Sequence, residues 1–174
     1  RIADRLHHYM NFQETVIQNE DFLSGLVEQL SVCEKETHII EAIRRATQHA
    51  YSESQFQYLR FDKEARDVVL EIKGNEPVCV LRQATDCPAG RQMRALHNHS
   101  GAGVSRCPLI KAEDKCISCA PLIVHGEVRA ITQMIGYNEE TTGFIEFESM
   151  ALAASSRMGV IYSAKEEMVQ SNTD

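Results

Sequence analysis

Four cysteines carry the strongest chemical signal in this sequence. Cys87, Cys107, Cys116 and Cys119 are separated by 19, 8 and 2 residues, and the last two have the spacing of a metal knuckle. Thiolates are soft donors, so four of them suit tetrahedral zinc or an iron–sulfur cluster. His97 and His99 lie in the same stretch, and either imidazole could replace one sulfur on zinc. Two other chemistries remain open for these residues: reversible thiol–disulfide exchange, and plain packing, since free cysteine is often interior. Strand geometry adds a condition. In a regular strand Cys116 and Cys119 would face opposite sides. A metal shared by both therefore needs a turn at 116–119, with the strand beginning near Ala120. Cys33 and Cys79 fall at the ends of an expected helix and strand, where they are expected to be core. His7, His8, His38, His49 and His125 are expected on surfaces or turns.

The elements that would position these groups follow from periodicity. Ile2, Leu6, Tyr9, Val16, Leu23, Val27 and Leu30 recur at alternating spacings of four and three, with Gln13 and Glu20 as polar interruptions. That is a heptad seam, and it predicts a long helix over residues 1–30 that pairs with a second copy of the chain. Ser31-x-x-Glu34 resembles a capping box for a second helix, with Ile39, Ile43, Ala46 and Ala50 on one face and an end near Tyr51-Ser52. The period then changes. Residues 56–61, 68–72 and 78–81 read as three strands, separated by turns at Asp62-Lys63-Glu64 and Gly74-Asn75. Residues 84–115 form a long stretch of weak periodicity, expected to be functional or helically decorated. A hairpin follows: 120–124, a turn at His125-Gly126-Glu127, and 128–135. A closing helix is expected over 144–168, with Phe147, Met150, Ala154, Ile161, Ala164 and Met168 as a second seam broken by Arg157. Ile161 and Met168 are expected to join the dimer seam. Hairpin links imply antiparallel pairing, so the fold class is α+β.

Composition closes off several functions. The formal net charge is −7 and the longest basic cluster is Arg44-Arg45, so nucleic acid and acidic membrane surfaces are not expected partners. No apolar run approaches the ~18 residues of a membrane helix. No secretory signal is visible, and clustered cysteines in a chain of this size suggest metal or redox chemistry in a cytoplasmic setting more than disulfide staples. The sequence starts at Arg1 rather than Met and is expected to be a piece of a longer protein. No Ser-His-Asp order, phosphate-binding glycine loop or His-Glu-x-x-His occurs; Gly101-Ala102-Gly103 lacks the context of a nucleotide fingerprint.

Alternating strands over 55–82, a long loop, then Ala120-Pro121-Leu122-Ile123-Val124-His125-Gly126-Glu127-Val128-Arg129-Ala130-Ile131 and a helix after Phe144-Ile145-Glu146-Phe147-Glu148 resemble the GAF family of sensory domains. The resemblance covers residues 21–166. It implies an α/β/α sandwich with a six-stranded antiparallel sheet, helices on both faces and long N- and C-terminal helices that pair between protomers. A narrower resemblance is to bacterial GAF-like sequences with a Cys-rich loop, aligned on Cys87, His97, Cys107-Pro108 and Cys119-Ala120-Pro121-Leu122. The Cys-His dipeptide usual for bilin attachment is absent. Asn138-Glu139 and Phe144-x-x-x-Glu148 fit the cyclic-nucleotide pattern poorly.

The resemblance implies a non-catalytic sensory domain of a bacterial signalling protein. On this reading residues 1–30 are a signalling and dimerisation helix, 31–166 the sensory domain, and 169–174 a linker toward a covalently attached output domain such as a histidine kinase, diguanylate cyclase or transcription regulator. A zinc ion, iron–sulfur cluster or small ligand in the loop pocket would bias the packing of the terminal helices in a homodimer. The alternative is a GAF-like enzyme resembling free methionine-(R)-sulfoxide reductase, with Cys87, Cys107 and Cys119 as nucleophile and resolving thiols; the "GVCG"-like segment of that family is missing here.

Overall fold

Leu26 and Leu30 stand one helical turn apart and both are buried, which gives the chain its first packing face. They belong to α1, helical over residues 20–31 in a computed structural model that describes residues 20–61, 68–70, 78–81, 84–98, 107–111, 115–136 and 143–171. The expected capping box does not form. Ser31 Oγ instead donates back to Glu28 O at 2.7 Å, and α2 (Glu36–Ala50) starts from Lys35 with no side-chain cap. Serine in the last turn of one helix thus meets a carbonyl of that helix before any amide of the next. Ile39, Ile43 and Ala46 are buried as expected, while Thr47 takes the fourth place and Ala50 is exposed.

The sheet consists of β1 (Gln55–Phe61), β2 (Val68–Leu70), β3 (Leu96–Asn98), β4 (Ile117–Val124) and β5 (Glu127–Ile135), in the order β2-β1-β5-β4-β3, all antiparallel. Six strands were expected; the described residues hold five. The segment 78–81, expected as a strand, makes one isolated antiparallel bridge, Cys79 with Ile110. The stretch expected to be loop supplies a strand instead: β3 pairs Leu96, His97 and Asn98 with Cys119, Ser118 and Ile117. Three residues are too few for a periodic signal. The same stretch carries a 3₁₀ turn, Ala84–Asp86, and the short helix α3, Pro88–Gln92, with Pro at its start.

The β4–β5 hairpin turns as expected. His125 and Gly126 both have positive φ, 52° and 78°, as a two-residue primed turn requires. The register shifts between Leu122 and Ile123, and the Ile123 N–H is taken by Ser155 Oγ at 3.0 Å. Ser155 lies on α4, Gly143–Ser171, which runs beyond the expected end at 168 and takes in residues that were expected to begin a linker.

Alternation along the strands divides the core in two. Tyr58, Ala120, Leu122, Ala130 and Met134 face α1, α2 and α4, in one cluster with Leu26, Leu30, Ile39, Ile43, Phe147, Met150 and Met158. Leu59, Ile117, Cys119, Ile131 and Ile135 face the other way, under α3 and the segments 78–81 and 107–111. One face therefore has a full helical layer. The other, among the described residues, has one short helix and two short segments. Arg157, expected as a break in a seam, donates from Nε and Nη2 to Cys33 O at 2.9 and 2.7 Å. It satisfies a carbonyl just past the end of α1 and ties α4 to that helix.

Candidate thiol site

β4 begins at Ile117, not at Ala120, and that start decides where the cysteines go. With a regular strand through 117–122, Cys119 points to the loop-covered face and Cys116 to the helical face. The turn that a metal shared by Cys116 and Cys119 would need is absent. Gly136 N donates to Cys116 O at 2.9 Å and holds the backbone there. Cys116 thus departs from the expected quartet and lies in the helix-facing core.

Its place is taken by Cys79. Cys87, at the start of α3, is buried beside Cys119, and Cys79 and Cys107 pack against the same cluster. The two short segments that carry them are joined through the Cys79–Ile110 bridge, with Val80 N donating to Leu109 O and Lys111 N to Val78 O, both at 2.8 Å. Asn98 fixes the approach of Cys107. Its Oδ1 accepts the Cys107 N–H at 2.7 Å while its Nδ2 donates to Ile117 O at 3.3 Å. Beneath the thiols, Gln133 Nε2 donates to Cys79 Sγ at 3.5 Å and to Cys119 Sγ at 3.4 Å. All six cysteines are thiols without a disulfide.

The electrostatics agree with this grouping. Burial pushes the Cys119 thiol far above its usual range; the Gln133 donor pulls it back, and the neighbouring Cys87, Cys79 and Cys107 push it further. Burial likewise raises Cys79, against the Gln133 donor and Lys111 and with Cys87 and Cys107. Cys87 is raised by burial, against the Gly90 and Ala89 amides and Arg91 and with Cys107. Cys79, Cys87 and Cys119 thus each feel the charge of neighbouring cysteines, with Cys107 among those neighbours in every case. Among the described residues no three donors already stand close enough to hold a metal.

The expected substitute ligands are placed elsewhere. His97 Nδ1 is 2.8 Å from Ser118 Oγ, on the side of the sheet away from Cys119. His99 lies outside the described residues. Of the expected seam, Ile2, Leu6, Tyr9 and Val16 also lie outside them. Leu30 and Ile161 are spent in the chain's own core and Leu23 packs against it, whereas Val27 and Met168 are exposed, at 52 % and 64 %. Heptad spacing does not distinguish an intrachain helix pair from an interchain one. Sequence reasoning missed Cys79, Asn98 and Gln133. The available signal was Gln133, a polar residue on the inward phase of an apolar strand.

No protein-family model matches the sequence, and no curated protein matches it. Solved structures do. The GAF domain of the Acinetobacter phosphoenolpyruvate-protein phosphotransferase superposes with a TM-score of 0.63 at 12 % identity, over 86 % of this chain and 95 % of that one. The GAF domain of the potassium sensor histidine kinase KdpD from Escherichia coli gives 0.54 at 12 % identity, over 84 % and 97 %. This chain has a GAF-like fold. Free methionine-R-sulfoxide reductase from Neisseria meningitidis gives 0.62 at 10 % identity, over 84 % and 91 %. Sensory and enzymatic proteins thus share the scaffold of this GAF-like domain, and the chemistry of its own residues must discriminate between them. No helix among the described residues is long and apolar enough to cross a membrane.

Proposed function

We propose that this GAF-like domain is a regulatory sensor whose signal enters at the thiol-lined face and leaves through α1 and α4. The observation that carries this reading is the convergence of four thiols on one face of the sheet whose opposite face packs the terminal helices. A zinc ion, an iron–sulfur cluster or a small soft ligand held by these thiols would draw on β4 and β5. The same strands meet α4, through the Ser155 bond to Ile123 and the bond between His125 Nε2 and Ser163 Oγ at 3.0 Å. Coupling requires that the ligand bind one packing of the helices better than another. The response would pass to a covalently linked output domain, a kinase, diguanylate cyclase or transcription regulator, in a homodimer paired through exposed apolar positions such as Val27 and Met168.

Chemistry favours this over a thiol-based reductase. A catalytic cysteine needs a depressed pKa, whereas two of the thiols that a reductase would use, Cys87 and Cys119, are pushed upward by burial. The test is hydrogen exchange along α4, with the protein purified without oxygen and compared before and after loading with zinc or with iron and sulfide. Slower or redistributed exchange in 152–171 is expected. If loading leaves that helix unchanged, the sensor reading fails. Light scattering should give twice the 19.6 kDa chain mass, and Val27→Asp should reduce it to that of a single chain.

A further inference from the structure

Gln133 presents an unusual arrangement. Its side chain is 2 % exposed, its amide N–H₂ is directed at two sulfurs, and its Oε1 has no partner among the described residues. An amide donor gains little from a neutral thiol and much more from a thiolate, because charge-assisted bonds are the strong ones. Burial, however, disfavours the thiolate. A soft cation resolves the conflict. It stabilises deprotonated sulfur in an apolar site, and the amide then offsets part of the excess negative charge.

We propose that Cys79, Cys87, Cys107 and Cys119 form a four-thiolate site for a soft divalent cation, with Gln133 donating to two of the sulfurs and Cys116 excluded. This inference rests on the sensor reading and names the ligand set of that same site. Each thiol comes from a different segment: the 78–81 strip, the start of α3, the 107–111 strip and β4. Cys79 and Cys107 sit on strips paired to each other, and the proposal requires that these strips close onto Cys87 and Cys119 when the cation binds. Some advance is required, since the donors are not yet at coordinating distance. Lys111 and Arg91 lie where they favour charge on Cys79 and Cys87 respectively. The reaction balances as one divalent cation plus four thiols giving a tetrathiolate dianion and four protons released to solvent. No electron is transferred.

The experiment is anaerobic titration of the full chain with cobalt(II), whose tetrahedral thiolate complexes absorb visibly. One cobalt per chain is expected, with about four protons released at neutral pH. Cys79→Ser should remove about a quarter of the sulfur-to-cobalt charge-transfer intensity, since one of four equivalent ligands is lost. Cys116→Ser should leave the spectrum intact. Gln133→Met, which keeps the length of the side chain but removes its donor, should retain the stoichiometry and weaken affinity about tenfold. As a readout independent of how the variants fold, cobalt should shield residues 79, 87, 107 and 119 of the unsubstituted chain from alkylation. Reactivity at Cys33 and Cys116 should not change on metal addition. If shielding falls on Cys116 and spares Cys79, the ligand set is wrong and the sensor reading stands. If cobalt neither binds nor shields any thiol, the metal site is overturned, and the sensor reading is then decided separately by exchange along α4 on loading with iron and sulfide.

Discussion

On one side of β5, Ala130, Thr132 and Met134 lie against a layer of helices; on the other, Ile131, Gln133 and Ile135 lie beneath the cysteines. The two faces belong to the same strand and are equally hidden from water, yet they are built differently. The helical face is mostly hydrocarbon; polar groups near its rim are tied, while the buried Thr47 Oγ1 meets no partner among the described residues. The Glu36 carboxylate accepts O–H bonds from Tyr58 and, at 2.8 Å, from Tyr162, which joins the start of α2 to β1 and α4. Thr132 Oγ1 donates to Ala120 O at 2.9 Å. The loop-covered face holds thiols and amides, with the Gln133 carbonyl oxygen unmet among the described residues. A core made for stability minimises such groups. The two faces thus differ in what covers them, a full helical layer on one and short segments carrying four thiols on the other.

The largest effect that would break this comparison concerns packing. Phe147 is fully buried on the helical face, and Phe147→Ala should cost about 3–5 kcal/mol in urea denaturation. Ile110, on a strip held by one bridge, should cost less as Ile110→Ala, about 2 kcal/mol, because the strip can collapse into the space. Equal losses would mean that both faces support the fold alike.

Next in size is the tyrosine tie. Removing the buried hydroxyl in Tyr58→Phe should cost about 1–2 kcal/mol. Burial first, and the Glu36 carboxylate second, raise the pKa of Tyr58, so the native state keeps its proton where the unfolded chain loses it. Stability from this group is complete below pH 10 and falls as pH rises further, by up to about 1.4 kcal/mol per pH unit. Tyr58→Phe should flatten that limb of the pH–stability curve.

The thiol face should show the same sign of effect about one pH unit lower in the metal-free protein. Cys79, Cys87 and Cys119 are raised from a starting value of 9.0, against 10.0 for tyrosine. Zinc should reverse it, so that stability rises with pH over the neutral range, because metal binding expels protons. Urea titrations at several pH values, with and without zinc, separate the two faces by this sign.

The smallest effect lies outside both. Bonding to Arg44 holds the Glu41 carboxyl down at about 2, with Arg45 also contributing, but its side chain is 40 % exposed. Its contribution is present above about pH 4.5 and is lost as pH falls toward 2. Glu41→Gln should cost no more than about 0.5 kcal/mol, since exposed pairs are screened by solvent. A larger loss would place part of the stability on the surface of α2 rather than in the helical core.

Local pattern was sufficient wherever one element could bury its face by itself. The spacing of Ile39, Ile43 and Ala46 marks α2 and its buried side, and Gly126 marks the hairpin through its backbone freedom. The types of the cysteines, and the soft-ligand chemistry they permit, are also properties of the sequence. The pairing of the helices was half legible. Seam spacing identified Leu30 and Ile161 as contact residues but not their partners, which are in the same chain.

Which cysteines share a face was decided by tertiary structure alone. In a strand, adjacent residues point to opposite sides, so whether β4 starts at Ile117 or Ala120 determines where Cys116 lies relative to Cys119. That start is set by pairing with β3 and β5, through Asn98 and Ile135, which stand 19 and 18 residues from Ile117. Cys79 reaches the site by the same long-range route, through a single bridge to Ile110. Side-chain type is carried by the chain itself, whereas convergence depends on register between distant segments, which exists only once the sheet has formed.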